Sequence, residues 1–175
     1  MNRPLLSMAV TLLLTALHKV VPVWLGASSV PATPGAIVVA YAALTMAPIE
    51  AIVTAALCGL VVDGLGGMPL GVGSFSMVVV LLLARLALRF MTETRGPTAA
   101  AFAGGFGAMQ VLLVGAMLSA FAGRAGSFDV LQAVGIGVVD GVLALALFPL
   151  LHWVGVLVGV EEKGATLRER LAARL

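Results

Sequence analysis

Three polar side chains lie deep inside long apolar segments of this sequence. Arg85 is about 14 residues into one segment, Gln110 about 12 into the next and Asp140 about 10 into the last. At about 1.5 Å of rise per helical residue, these positions fall within a few Å of one depth. Polar groups are costly in hydrocarbon and usually pair with one another inside a bundle. The spacing therefore predicts an Arg85–Asp140 ion pair supported by Gln110, an intramembrane polar cluster.

A second interpretation of the same residues needs no ion pair. Arg85 then extends toward the inner aqueous face beside Arg89, as long cationic side chains can do. Asp140 is then protonated, or hydrogen-bonded to a neighbouring helix. The sequence leaves both interpretations open, and also whether Asp140 is ionised.

Catalytic chemistry finds little support among the remaining residues. A serine hydrolase needs a serine and a histidine within hydrogen-bond reach, yet Ser74 and His152 are predicted near opposite membrane faces. His18 has no acidic neighbour in its segment. Cys58 is the one cysteine of the chain, which excludes an internal disulfide or a cysteine-based zinc site. The sequence therefore predicts no enzyme, with no catalytic, cofactor-binding or metal-binding residue.

The composition explains why so few side chains are candidates. Apolar residues make up 61% of the 175 residues and charged residues 10%, against about 25% charged in a soluble domain. Seven of the 18 charges follow Val160, so the rest cannot cover a globule in water. The net charge of +2, with no basic patch, excludes a nucleic-acid-binding surface. These values predict an all-α, polytopic integral membrane protein.

Six apolar segments are long enough to be membrane spans or short tilted spans. They form a predicted transmembrane domain over residues 1–160, which a short charged tail over residues 161–175 follows. The predicted spans cover residues 5–25, 35–47, 49–63, 72–91, 98–122 and 130–151.

The second and third segments could also form one span. A single helix over residues 35–62 would place Glu50 near the middle of the membrane, at a cost of about 2.5–3.5 kcal/mol. A turn at Pro48 avoids that cost, so six spans are favoured, although five are possible.

Basic residues set the orientation through the positive-inside rule. With six spans, eight of the ten basic residues are cytoplasmic, and both termini lie on that side. Five spans give the same count, because Arg3 is then exchanged for Lys19.

Small residues also recur every fourth position, as in Gly137 and Gly141. We interpret this spacing as close helix packing in preference to a dedicated dimer face.

One segment, residues 59–71, has a more specific pattern. A helix ending in G-L-x-x-D is followed by a turn of small residues and by P-L-G, which opens the next helix. This pattern resembles the MreD family of rod shape-determining membrane proteins. Chain length, the hydropathy profile, Pro34 with Tyr41, and the V-V-D-G-V-L stretch around Asp140 agree with the resemblance. It departs from the family at Gly35, where an acidic or amide residue is frequent, and at Asp140, where asparagine is common.

The resemblance implies a non-enzymatic scaffold subunit of the cell-elongation complex in the bacterial inner membrane. Its expected partner is MreC, with MreB, RodA and the transpeptidase partner of RodA in the same complex. Such a subunit supports lateral peptidoglycan synthesis and cell shape. The motif residues expected to be structural or to bind the partner are Gly59, Asp63, Pro69, Leu70 and Gly71.

Two questions about this interpretation stay open. Asp63 either accepts hydrogen bonds from backbone N–H groups at the helix end or contacts the partner directly. The whole chain could also be the vitamin-binding subunit of an energy-coupling-factor transporter, which has similar size and hydropathy. A pocket for a vitamin needs convergent polar and aromatic groups, and these are sparse here.

Overall fold

The computed structural model describes residues 2–24, 32–67, 69–90, 96–122 and 130–157. This part of the chain is all-helical, as predicted, with six helices and no strand. The predicted tail and most of the predicted loops lie outside the described residues. The helices are α1 (Asn2–Trp24), α2 (Pro34–Thr45), α3 (Pro48–Gly66), α4 (Val72–Leu88), α5 (Gly96–Ala122) and α6 (Val130–Leu157).

Three of these helices are long and apolar enough to cross a membrane. They are Pro48–Gly66, Gly96–Ala120 and Val130–Leu157. The other three contribute shorter apolar stretches, over Pro4–His18, Pro34–Thr45 and Val72–Leu88. α6 extends to Leu157, past the predicted end near Leu151, although Pro149 lies inside it.

Two prolines divide the long apolar region between residues 34 and 66 into two helices. Pro34 and Pro48 each occupy the first turn of a helix, where a missing N–H costs nothing. Between the helices, Met46 has an extended backbone and ends α2. Glu50 consequently lies in the first turn of α3, where a negative charge is favourable.

α2 is the central helix of the bundle. Every residue from Gly35 to Thr45 is buried, and α2 packs against each of the other five helices. Its apolar side chains meet Met77, Val80 and Leu81 of α4, and the ring of Tyr41 lies 5.5 Å from that of Phe148. A helix apolar on all sides is stable only when other elements surround it, which is the situation here.

α2 is also too short to cross a bilayer alone. Its 12 residues span about 18 Å, against roughly 30 Å for the hydrocarbon core. Backbone groups at its ends cannot be left to lipid, where no hydrogen-bond partner exists. The residues that meet those ends therefore decide whether this architecture is stable.

Glycines bring the outer helices together at two further places. A Cβ on Gly137 of α6 would lie 2.7 Å from the carbonyl oxygen of Gly104 in α5, so a larger residue cannot fit. Gly141 faces the carbonyl oxygen of Ala100 in the same crossing. The predicted use of Gly137 and Gly141 in helix packing is thus confirmed, with α5 as the partner helix.

Candidate functional site: the ends of the central helix and the turn between α3 and α4

The carboxylate of Asp140 lies at the N-terminus of α2. Its Oδ1 accepts the backbone N–H of Thr33 at 2.8 Å, and its Oδ2 accepts the Thr33 hydroxyl. Thr33 is the N-cap of α2, and Asp140 is fully buried. A carboxylate is favourable here because a helix N-terminus carries a partial positive charge.

Two neighbouring helices complete the surroundings of this carboxylate. Gly107 of α5 packs directly against it, and a Cβ at that position would overlap Oδ2. His18 of α1 is also near this carboxylate. Asp140 therefore connects α6 to α2 and also contacts α5. The sequence did not indicate that His18 or Gly107 lies near Asp140.

The guanidinium of Arg85 lies at the opposite end of α2. Its Nη2 donates to the carbonyl oxygen of Met46 at 2.6 Å. Met46 is the C-cap of α2, where the helix carries a partial negative charge and its last carbonyls lack intrahelical partners. A cation from α4 is therefore placed where it is electrostatically favourable.

The predicted ion pair between Arg85 and Asp140 is wrong. Thr33 and Met46 are separated by the whole length of α2, which is about 20 Å at 1.5 Å per residue. Each side chain meets one end of α2, and the two do not contact each other. For Asp140, the alternative of a hydrogen bond to a neighbouring helix is the correct one.

Gln110 does not support such a pair either. Its Nε2 donates to the hydroxyl oxygen of Ser76 at 2.7 Å, and that hydroxyl donates to the carbonyl oxygen of Gly73 at 3.0 Å. Gln110 is buried one turn beyond Gly107, yet its bond joins α5 to α4. The three predicted cluster residues thus belong to three separate contacts.

The segment that resembles MreD folds around the carboxylate of Asp63. Asp63 is fully buried and accepts the backbone N–H groups of Gly71 at 2.9 Å and Gly73 at 2.7 Å. A longer contact of 3.4 Å reaches the N–H of Ser74. One side chain therefore fixes the turn and satisfies donors in the first turn of α4, which have no intrahelical acceptor. The structural interpretation of Asp63 is confirmed.

The other motif residues divide into buried and exposed ones. Gly59 lies against the α4 backbone, and a Cβ there would be 2.5 Å from the Ser74 nitrogen. Gly71 has a φ of +101°, which only glycine adopts readily. Pro69 and Leu70 form the exposed part of the turn, and 78% of Leu70 is accessible.

Hydroxyl and thiol groups of the chain form structural contacts. The Ser74 hydroxyl donates to the carbonyl oxygen of Ala56, which joins the start of α4 to α3. The thiol of Cys58 accepts the Thr11 hydroxyl at 3.1 Å, between α3 and α1. Within the described ranges, no three His, Cys, Asp or Glu side chains are grouped as a metal ion would require.

Sequence reasoning missed Thr33, Ser76 and Gly107 as members of these contacts. Thr33 could have been identified from the sequence, because a threonine directly before a proline is a typical N-cap followed by a typical first helical residue. Ser76 and Gly107 gave no such signal, since their roles depend on which helices are neighbours.

Comparison with known proteins adds no assignment, since no protein-family model, curated protein or solved structure matches the chain.

Proposed function

We propose that this protein is a non-enzymatic scaffold of the MreD type in the bacterial inner membrane. It crosses the membrane six times with both termini in the cytoplasm, and it binds MreC. MreB, RodA and the transpeptidase partner of RodA belong to the same complex, which makes peptidoglycan along the cell side wall.

The observation that carries this proposal is the built turn between α3 and α4. Gly59, Asp63 and Gly71 are used to hold the backbone in one conformation. Beside these bonded residues, Pro69 and Leu70 form an exposed apolar tip. An exposed apolar tip without an acid, base or nucleophile is suited to contact with another protein.

The placement of charge agrees with a scaffold. The carboxylates of Asp63 and Asp140 are buried and bonded to backbone N–H groups, and Arg85 bonds a backbone carbonyl. A general acid or base must instead be within reach of a substrate. These ionisable side chains hold the bundle together, which leaves the helix surfaces and the turn for recognition.

The proposed contact predicts a selective effect of Leu70→Ser. The substitution removes the exposed apolar side chain without disturbing the Asp63 bonds, so accumulation in the membrane is expected to stay at the wild-type level. Copurified MreC is expected to fall at least about fivefold, which corresponds to about 1 kcal/mol of binding energy. The measurement is affinity purification of the tagged chain from a rod-shaped bacterium that depends on it for shape, with cell width scored in parallel.

Gly64→Ser is the matched control, because Gly64 is exposed one residue after Asp63 and nothing lies within 4 Å of its Cβ position. It should retain MreC and normal width. If the wild-type chain recovers no MreC, the proposed function is wrong. Recovery of a transporter ATPase, or of a tightly bound vitamin, would instead support the energy-coupling-factor alternative.

A further inference from the structure

The outer side of α4 carries an apolar stripe that ends in an arginine. Leu82 and Leu86 are each about half exposed, and Arg89, which is also exposed, follows at the C-terminal end of the helix. Steps of four and three residues keep these side chains on one helix face. At 1.5 Å per residue, Leu82 lies about 10 Å from Arg89 along the helix axis. This face therefore presents leucine over two turns and then a guanidinium.

A second arginine lies on the same part of α4. Arg85, one turn before Arg89, is half-buried and donates to the backbone at the C-cap of α2, so its guanidinium is held at this end of the bundle. In the described part of the chain, Glu50 is the only acidic residue here, because Asp63 and Asp140 lie toward the other end. Two arginines and one glutamate leave this end of the bundle with a positive charge.

The outer helices α5 and α6 lack this combination. Both have exposed apolar side chains, among them Met109 on α5 and Val138 on α6, but neither helix contains a lysine or an arginine. The stripe on α4 is therefore distinguished by its charge and not by its apolar character. In a membrane, lipid covers outward surfaces of this kind, so the charge decides which headgroup is preferred there.

We propose that the C-terminal end of α4 binds an anionic phospholipid. The lipid phosphate contacts Arg89, whose planar guanidinium matches phosphate geometry, and Arg85 adds attraction from one turn deeper. An acyl chain lies along Leu86 and Leu82. A zwitterionic lipid with the same chains also carries an ammonium group, which the two arginines repel. The site requires only that the bundle lies in a membrane, so it does not depend on the proposed function.

The test is native mass spectrometry of the full chain in mild detergent, titrated with phosphatidylglycerol or with phosphatidylethanolamine of the same acyl chains. The first headgroup is anionic and the second is zwitterionic. We expect the wild-type chain to bind phosphatidylglycerol with a Kd at least about fivefold lower, the factor that one cationic side chain near an anionic headgroup supplies. Arg89→Gln should lose most of this preference.

Arg89→Lys and His152→Gln are the controls. Lysine keeps the positive charge, and His152 is an exposed polar residue of α6, so both variants should still prefer phosphatidylglycerol. Equal affinity of the wild-type chain for the two lipids would overturn the proposal. An unchanged preference in Arg89→Gln, or an equal loss in Arg89→Gln and His152→Gln, would overturn it as well.

Thermal unfolding gives an independent readout. A lipid that binds only the folded state raises the melting temperature. Added phosphatidylglycerol should raise the melting temperature of the wild-type chain and leave that of Arg89→Gln nearly unchanged. Because Arg89 is exposed, the two proteins should melt alike without added lipid. The same rise in both proteins would contradict binding at Arg89.

Discussion

Replacing Asp140 with leucine is expected to lower the free energy of unfolding by about 2–4 kcal/mol. The substitution leaves the N–H and hydroxyl of Thr33 without their acceptor at the start of α2. A buried donor without a partner costs about 1–3 kcal/mol, and a favourable charge at the helix N-terminus is also lost. The measurement is thermal unfolding in detergent, compared with the wild-type chain.

This substitution distinguishes an effect on tertiary structure from an effect on membrane insertion. Leucine favours insertion and aspartate opposes it, so a loss of stability must come from the folded bundle, through the lost bonds to Thr33 and the tighter packing against Gly107. Asp140→Asn should lose only about 1 kcal/mol, because its amide oxygen still accepts one bond from Thr33. Leu150→Met, at an exposed position on α6, is the control and should unfold like the wild type. Wild-type stability of Asp140→Leu would contradict the role assigned to the carboxylate.

The second large effect is expected for Gly59→Ala. The added Cβ would lie 2.5 Å from the Ser74 nitrogen and 2.8 Å from the Gly73 carbonyl carbon. Both atoms belong to the backbone, so α3 and α4 must separate, and Asp63 loses its contacts one turn further along. Overpacking of this kind costs about 1–3 kcal/mol, and the lost hydrogen bonds add to it. The measurement is the yield of folded, monodisperse protein together with its melting temperature.

Gly64→Ala provides the comparison within the same helix. Its Cβ meets no atom within 4 Å, and alanine favours a helix over glycine by up to about 1 kcal/mol. Gly64→Ala should therefore be neutral or stabilising. If both substitutions behaved alike, the close approach of α3 and α4 at Gly59 would be contradicted.

Much of the helical framework could be predicted from the sequence, because hydropathy and proline act locally. Pro48 ends one apolar run and starts another, and Val72 and Val130 begin helices where the predicted segments begin. The turn around Asp63 was also predictable, since a carboxylate that precedes a glycine-rich turn commonly accepts its N–H groups. These features depend on neighbours in the chain.

The arrangement of charges could not be predicted in the same way. Counting residues gives the depth of Arg85 and Asp140, but it does not give the helix that lies between them. That helix is α2, which separates the two charges and offers each the end of opposite polarity. The residues of α2 are mostly apolar on every side, so no single face of the helix stands out in the sequence as the buried one. Its central position is therefore visible only in the structure.

This arrangement gives a physical reason for the few charges inside the bundle. A short helix buried within a membrane protein leaves backbone N–H groups at one end and C=O groups at the other. Asp140 accepts hydrogen bonds at the first end and Arg85 donates one at the second, so the two side chains stabilise the central helix without contacting each other. The outer helices then pack around α2 and expose apolar side chains on their outer sides.

Two double-mutant cycles on the free energy of unfolding test this central claim most directly. The first combines Thr33→Val with Asp140→Leu, and the second combines Arg85→Met with Asp140→Leu. Residues in contact couple by about 0.5–3 kcal/mol, whereas distant residues add within about 0.5 kcal/mol. We predict coupling of at least about 1 kcal/mol for Thr33 with Asp140 and additivity for Arg85 with Asp140. Strong coupling between Arg85 and Asp140, together with additivity at Thr33, would contradict the account.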